Sequence, residues 1–418
     1  MNNKAIKTAF PSQAVPDMEK ASAEYGAKVG KAIEHEWFTS NNATYNRYGK
    51  FKESFHSLRL YARGEQSIKK YKDELSINGD LSYLNLDWKP VPIIPKFVDI
   101  VVNGMADRSY NISAYSQDPF SVVERTRYLE NMMADMQGKS IKEEVRNVMG
   151  IDTFNNDPSI VPETPDELSL HMQLNYKQSI EIAEEEAINS VFDKNKYDTV
   201  RDRFNYDLTV IGIGAVKTSF NKAEGIKIEY VDPADMVYSP TESPFFDDIY
   251  YVGEVKDVYV NDLKKQFPEL TDEQLNEYRG YYGGYTNRSD YRGKADDNNT
   301  IRVLYFEYKT YKNQVYKLKN TPTGGQRAVK KDDTFDPPEN DMFEKIDRAI
   351  EVIYEGVKIL GSGDKILKWE LKKNMMRPKA DTTKAVMSYA IVAPRIYEGR
   401  IESLVSRVTG FADMVQIT

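Results

Sequence analysis

Apolar residues recur at spacings of three and four along some stretches of the chain and alternate along others, and the two rhythms separate helices from strands. Phe51, Phe55, Leu58, Leu60 and Tyr61 mark a helix over 51–64 that stops at Gly64. Pro90, Pro92 and Pro95 enforce an extended entry, and Pro95 then opens a helix ending at Asn103-Gly104. A further helix is expected over 122–149, followed by a loop rich in Pro, Asn and Asp over 150–162. Thr164-Pro165-Asp166-Glu167 forms a capping box with proline at the first helical position. The helix it starts carries Ile180, Ala183, Ala187, Ile188, Val191 and Phe192 as its apolar stripe.

Strand character is clearest from Tyr206 to Phe220 and from Gly225 to Pro233, where β-branched residues alternate on either side of the turn chemistry of 221–225. This predicts an antiparallel strand pair. Asp257–Tyr278 is helix-like through Val258, Leu263, Phe267, Leu270 and Leu275, and Pro268 breaks it in two. Residues 281–300 form a linker rich in Gly, Asn and Asp. Ile301–Leu318 predicts a hairpin, Asn320–Asp341 a polar loop and Met342–Arg348 a short helix. Glu351–Leu360 and Lys365–Glu370 predict a second hairpin across Gly361-Ser362-Gly363. From Pro394 to Thr418 one amphipathic helix is expected, roughly 35 Å long at 1.5 Å per residue. Ile401, Leu404, Val405, Val408, Phe411, Met414 and Val415 share one of its faces, and Arg400, Ser403 and Arg407 another. Residues 1–40 are polar with one short helical pattern (Ala21–Trp37) and predict an arm that orders only against a partner.

With 418 residues and 40% hydrophobic content the chain is long enough for two or three packed units of α+β class. The balance of 57 basic against 65 acidic residues, a net charge of -8, argues against an electrostatic grip on nucleic acid while leaving room for DNA that slides past. There is no cysteine, hence no disulfide and no thiolate chemistry. No apolar run approaches a membrane span, and no signal peptide opens the chain. The 29 tyrosines suit extensive interfaces and equally a β-rich core.

Few residues suggest catalysis. Gly212-Ile213-Gly214-Ala215-Val216-Lys217-Thr218 resembles a phosphate loop, but Val216 stands where the glycine before the lysine must be. The dinucleotide fingerprint fails as well, since its third glycine falls on Lys217. Glu181, Glu184 and Glu185 lack the histidine that would complete a metal site, the chain's three being His35, His56 and His171, and so predict a solvated acidic face. Asp296-Asp297 lacks the glycine and glutamate of a calcium loop. A metal-dependent DNA-processing enzyme would draw on Asp232, Asp235, Asp247 and Asp248. Asp232-Pro233 fits a turn better. No cofactor is expected.

Asp207-x4-Gly212-x-Gly214 in a strand entered from a long helix, then Val231-Asp232-Pro233, Asp247-Asp248 and Tyr250-Tyr251-Val252-Gly253-Glu254-Val255, resembles the wing region of phage portal proteins. Tyr61-Ala62-Arg63-Gly64-Glu65-Gln66 followed by Pro95–Asp107 is similar to a pairing in portals of short-tailed phages, and most resembles those of crAss-like phages. The resemblance implies a non-enzymatic subunit of a homo-oligomeric ring, twelve-fold in the family, at one capsid vertex. Double-stranded DNA is packaged and ejected through it without sequence specificity. Its implied partners are the major capsid protein, terminase and tail adaptor proteins, in the virion and, during assembly, the host cytoplasm. It also implies an N-terminal arm (1–50), a wing (51–255), a first stem helix region (256–285), a β-rich clip (286–385) and a second stem helix (386–418). A crown is apparently absent, which suggests a fragment. Lys264, Lys265, Arg400 and Arg407 are then expected on stem surfaces facing DNA, and Tyr305, Tyr308, Tyr311, Tyr316 and Arg327 on a docking surface of the clip. A smaller tail adaptor ring is the related alternative.

Overall fold

The computed structural model describes residues 10–38, 46–76, 89–107, 112–280, 300–320, 326–331, 335 and 343–417. The chain forms two compact units, a sheet unit made of 1–107 with 198–418 and a helical unit made of 108–197. In chain order the helices α1 (Asp17–Lys20), α2 (Ala23–Phe38), α3 (Arg47–Arg63), α4 (Lys69–Leu75) and α5 (Ile94–Ala106) lead into α6 (Pro119–Met149), α7 (Pro165–Leu174) and α8 (Ser179–Lys194). After α9 (Tyr197–Val210) come β1 (Gly214–Asn221), β2 (Gly225–Tyr230), β3 (Met236–Tyr238) and β4 (Tyr251–Tyr259), then α10 (Val260–Gln266) and α11 (Asp272–Gly280). The chain closes with β5 (Thr300–Asn320), β6 (Gln326–Lys331), β7 (Phe343–Ile359), β8 (Lys368–Leu371), β9 (Tyr389–Val392), β10 (Ile396–Tyr397), β11 (Arg400–Ile401) and α12 (Leu404–Ile417).

In the sheet unit, β2-β1-β9 form one antiparallel sheet and β3-β4-β5-β7-β8 another, with β6 added to β5. The expected pair β1–β2 is present, in register from Val216 opposite Tyr230 to Asn221 opposite Gly225. Its first strand starts later than predicted, because Tyr206–Val210 completes α9 and the chain turns only at Ile211-Gly212. The hairpin expected over 301–318 is instead the single strand β5 of 21 residues, and the helix expected over 342–348 is strand from Phe343 onward. These two long strands pair from Val303 opposite Ile359 to Lys319 opposite Phe343. The β7–β8 hairpin is as expected, with Tyr354 opposite Leu371.

Residues 23–38 are no free arm. Successive turns of α2 bury Tyr25, Val29, Ile33, Trp37 and Phe38 in the main core of their own chain, together with Phe306, Tyr308 and Trp369 of the sheet. The partner that orders this segment is therefore the chain itself. Polar contacts fix the seat. Trp37 Nε1 donates to Tyr251 Oη at 2.9 Å, Tyr251 Oη donates to Glu36 at 2.8 Å, and the Arg47 guanidinium lies 4.2 Å from the centre of the Trp37 ring. Buried Lys358 meets Glu34 at 3.1 Å, and Gly361 N–H donates to the same carboxylate at 2.7 Å.

The helix predicted from Pro394 is shorter and starts later. Glu398 and Gly399 both take positive φ, 48° and 71°, which closes the two-residue hairpin β10–β11 and ends any helix there. Ser403 and Ser406 then cap α12 reciprocally, each side chain accepting from the other's N–H at 2.9 and 3.0 Å. Of its predicted apolar face only Val405 is fully buried, while Phe411 and Met414 are 61% and 62% exposed.

The helical unit buries two carboxylates, Asp135 and Glu181, beside the apolar Met132, Val161 and Leu168. α6 opens at Asp118, whose side chain accepts from Phe120 N–H at 3.1 Å, and closes at Gly150. Thr164 caps α7 as predicted, but the helix ends at Leu174, and the expected apolar stripe lies on separate α8 with Ile180 and Ile188 exposed. The acidic face is also corrected. Glu181 is buried, paired with Arg125, and accepts from Ser116 and Gln178 N–H at 2.9 and 3.0 Å; Glu185 accepts from Ala114 N–H and Lys177.

Asp135, wholly buried on α6, gathers Lys142 Nζ at 2.6 Å and the main-chain and side-chain N–H groups of Asn155 and Asn156 at 2.9–3.1 Å. Burial raises its pKa, but these donors outweigh it and hold the carboxyl below its usual value. A depressed folded pKa gives stability that is present above about pH 4 and lost as the pH falls further. Asp135→Ala is expected to leave several buried donors unmatched and cost about 3 kcal/mol. Hydrogen exchange at the 152–157 amides, measured at neutral pH, should rise at least tenfold in the variant; unchanged protection would remove this role.

Candidate functional site

The two acids of the portal-like motifs, 25 positions apart, converge on one arginine that neither motif contains. Arg59, on α3, donates through Nη1 and Nη2 to Asp232 at 3.0 and 2.8 Å, and through Nη2 to Asp207 at 2.9 Å. Tyr230 Oη donates to the remaining Asp207 oxygen, and Asp232 also accepts from Ala234 N–H at 3.0 Å, capping the turn over 233–235. Helix α3, the end of α9 and the end of β2 are thus tied at one point. Burial raises the Asp207 pKa against the pull of Arg59. At Asp232 burial acts the same way, but the Arg59 hydrogen bonds and charge prevail and the pKa falls. Tyr230 is pushed far above its ordinary value by burial and then by Asp207.

Of the four carboxylates offered for a metal-dependent enzyme, three are engaged elsewhere, and Asp247 is exposed. Asp232 serves Arg59, Asp235 takes Lys52 at 2.8 Å and Tyr48 Oη at 3.1 Å, and Asp248 accepts from Thr241. Among the described residues no three or more acids or histidines are grouped to hold a metal. The Gly212–Gly214 stretch is likewise occupied by packing. At Gly212, φ is +82° and a Cβ would lie 2.8 Å from the Glu402 carbonyl oxygen; at Gly214 it would lie 2.5 Å from the Phe204 ring. No room is left there for a phosphate.

The predicted docking residues lie on β5 and β6 but do not share one surface. Tyr308 is fully buried, its ring parallel to Phe10 at 6.1 Å and its hydroxyl accepting from Gln13 at 3.2 Å, so it is withdrawn from any docking role. Tyr311 is covered by Lys20, whose Nζ lies 4.1 Å from the ring centre. Tyr305 donates to Gln266 at 2.7 Å and Tyr316 to Gln314 at 3.1 Å, both half-buried. Arg327 is exposed on β6, opposite Lys319.

The predicted DNA-facing lysines and arginines scatter too. Lys264 and Lys265 sit on α10, a helix of only 7 residues, paired with Asp272 and Asp262. The segment around Pro268 is thus two short helices, α10 and α11, in keeping with the break expected at that proline. Arg400 belongs to β11, and Arg407, on α12, stands 3.9 Å from Glu402. The linker expected over 281–300 lies outside the described residues except for Thr300.

Between the two sheets runs a groove of about 1130 Å³ that no sequence pattern announced, because its walls come from six separate segments. Phe220 and Ile226 from β1–β2, Phe267 after α10 and Met376 after β8 are among its apolar members. Lys217 lies in it with its ammonium 4.8 Å from the centre of the Tyr389 ring, and burial lowers its pKa. Opposite run Glu307, Glu355 and Glu370, side by side on β5, β7 and β8. Lys372 and Lys368 compensate them at 2.8 and 3.2 Å.

Compared with known proteins, residues 177–369 match the family model described as phage P22-like portal protein. That span runs from the approach to α8 through β1 and β2 and the larger sheet to the start of β8, and the match supports a phage portal protein. Portal proteins are structural components of DNA packaging, and the family implies an oligomeric ring at a capsid vertex. No curated protein matches the chain. No helix among the described residues is long and apolar enough to cross a membrane.

Proposed function

We propose that this chain is the subunit of a portal ring of twelve copies at one vertex of a phage capsid, the conduit through which double-stranded DNA is packaged and later ejected. The family match over 177–369 carries this reading. Within it, α3, α5, α9 and the β1–β2 pair belong to the wing, and the long β5–β6–β7 blade to the clip, the platform for terminase and then for tail adaptor proteins. The exposed end of the blade, with Arg327 and Lys319, takes over the docking role first assigned to the tyrosines. The kinship with portals of crAss-like phages, contact with the major capsid protein and assembly in the host cytoplasm belong to the same proposal. No catalytic group is needed, since a channel works by shape and charge while a separate ATPase drives the DNA.

Native mass spectrometry with negative-stain projections of the purified protein tests it. Rings of about twelve subunits with a central hole are the expected result, from the family's symmetry and the closed assembly that head-to-tail contacts produce. A monomer at every accessible concentration would count against it.

A further inference from the structure

Lys20, Lys358 and Lys372 carry their ammonium groups into the sheet unit, and each meets oxygen there. Lys20 Nζ donates to the Tyr311 carbonyl at 2.6 Å, Lys358 meets Glu34 at 3.1 Å and Lys372 meets Glu307 at 2.8 Å. Lys217 is different. It stands on β1 between Glu229 of β2 and Tyr389 of β9, its directly opposed neighbours, and lines the groove between the sheets. Among the described residues no carboxylate or carbonyl oxygen lies within hydrogen-bond reach of its ammonium, which sits over the Tyr389 ring, 4.8 Å from the centre. The ring attracts the cation but offers it no hydrogen-bond acceptor. Carboxylates are present nearby, yet all are taken. The charges that face Lys217 are Glu229 on β2, Glu254 and Lys256 on β4, and Glu307 on β5. Glu229 is bonded to Lys227 at 2.7 Å, Glu254 to Lys256 at 3.0 Å and Glu307 to Lys372 at 2.8 Å. Each such pair is close to neutral as seen by a third group, so desolvation decides the state of Lys217. Burial accordingly lowers its pKa against the pull of the three glutamates.

We infer that Lys217 is a nucleophilic amine at which the folded chain accepts an acyl group from small activated donors, acyl phosphates or thioesters. A lysine becomes nucleophilic when desolvation leaves part of it neutral, and the groove, about 1130 Å³ with exposed Phe220 and Lys373 among its walls, gives a donor room to reach it. In the step the Nζ lone pair attacks the acyl carbon and a C–N bond forms. The bond from that carbon to the leaving oxygen or sulfur breaks, the electron pair departs with the phosphate or thiolate, and the proton lost by nitrogen goes to water. Nothing is oxidised or reduced. The product is a neutral amide with no charge to desolvate. Acylating Lys358 or Lys372 would instead strip Glu34 or Glu307 of its partner in a buried site, which opposes reaction there. The property belongs to the single chain and does not rest on the portal reading.

The test treats the full wild-type chain with limiting acetyl phosphate and follows acetylation of each lysine by peptide mass spectrometry. Lys373, exposed in the same groove, is the internal reference. At pH 7 Lys217 should react at least about threefold faster than Lys373, and the ratio should fall as the pH approaches about 10, where an ordinary lysine also loses its proton. Steric access does not change with pH, so the fall in ratio isolates ionisation. Lys256→Met removes a cation that faces Lys217 and releases Glu254 from its pair, so Lys217 should hold its proton more tightly and react more slowly at pH 7. An unchanged rate at Lys373 reports that the groove is intact in the variant. Lys217 reacting no faster than Lys373 at pH 7, a ratio that stays flat with pH, or a Lys256→Met chain in which Lys217 reacts as in the wild type would each overturn the assignment.

Discussion

Replacing Arg59 by methionine is expected to lower the unfolding free energy by about 3–5 kcal/mol at neutral pH, the usual cost of leaving buried charge without its partner. The side chains of Arg59 and Asp207 are 12% and 3% exposed, so water cannot substitute for the guanidinium, and Asp232 loses both of its parallel hydrogen bonds. The pH dependence gives the effect its signature. In the wild type the two acids oppose each other: Asp232 has a lowered pKa and stabilises above about pH 4, whereas Asp207 has a raised pKa and favours the protonated form. Without Arg59 both folded pKa values should rise above their unfolded ones. Their contribution is then present at low pH and lost as the pH rises through the folded values, so the variant should recover between pH 7 and pH 5. Urea unfolding at both pH values measures it. Adding Asp207→Asn and Asp232→Asn to the methionine variant should restore most of the loss at pH 7. A loss below about 1 kcal/mol, or no recovery on acidification, would show the junction to be incidental.

That junction marks the boundary of what the sequence makes legible. Asp207 and Asp232 stand in motifs and can be singled out from residues alone, but Arg59 belongs to a helix 148 positions before Asp207, and nothing in local spacing announces that it will reach both. Helix ends with their own chemistry were readable: Gly64, Gly150 and Thr164 all sit where their capping roles require. The blade was not. On β5 the outer half runs Tyr311-Lys312-Asn313-Gln314-Val315-Tyr316-Lys317, exposed or half-buried except for Val315, so the alternation that reveals a strand with one wet face is missing and a turn is read into it. Similarly, Ile346 and Asp347, neighbours on opposite faces of β7, are both exposed, and a strand wet on both faces carries no period of two. The groove is illegible for another reason: tertiary approach alone brings Lys217, Phe267, Met376 and Tyr389 together.

The other large effect concerns the segment that polarity marks as an arm. Deleting residues 1–38 is expected to leave the sheet unit unable to fold, not merely unable to meet a partner. The deletion removes Tyr25, Val29, Ile33, Trp37 and Phe38 from the core, all at or below 4% exposure. At about 1.5–3 kcal/mol for each large buried side chain, the loss is on the order of 10 kcal/mol, comparable with the whole stability of a domain. It also strips Glu34 from buried Lys358 and Lys20 from the Trp369 indole, which donates to the Lys20 carbonyl at 2.8 Å. A free arm would behave oppositely, and its loss would leave the melting transition unchanged. Near-UV circular dichroism and solubility of the truncated chain separate the two outcomes, and adding a synthetic 10–38 peptide should restore the aromatic signal in part. The single change Trp37→Ala should itself cost about 3–5 kcal/mol. A truncated chain that keeps its near-UV spectrum and cooperative unfolding would mean that the sheets, not α2, hold this core together.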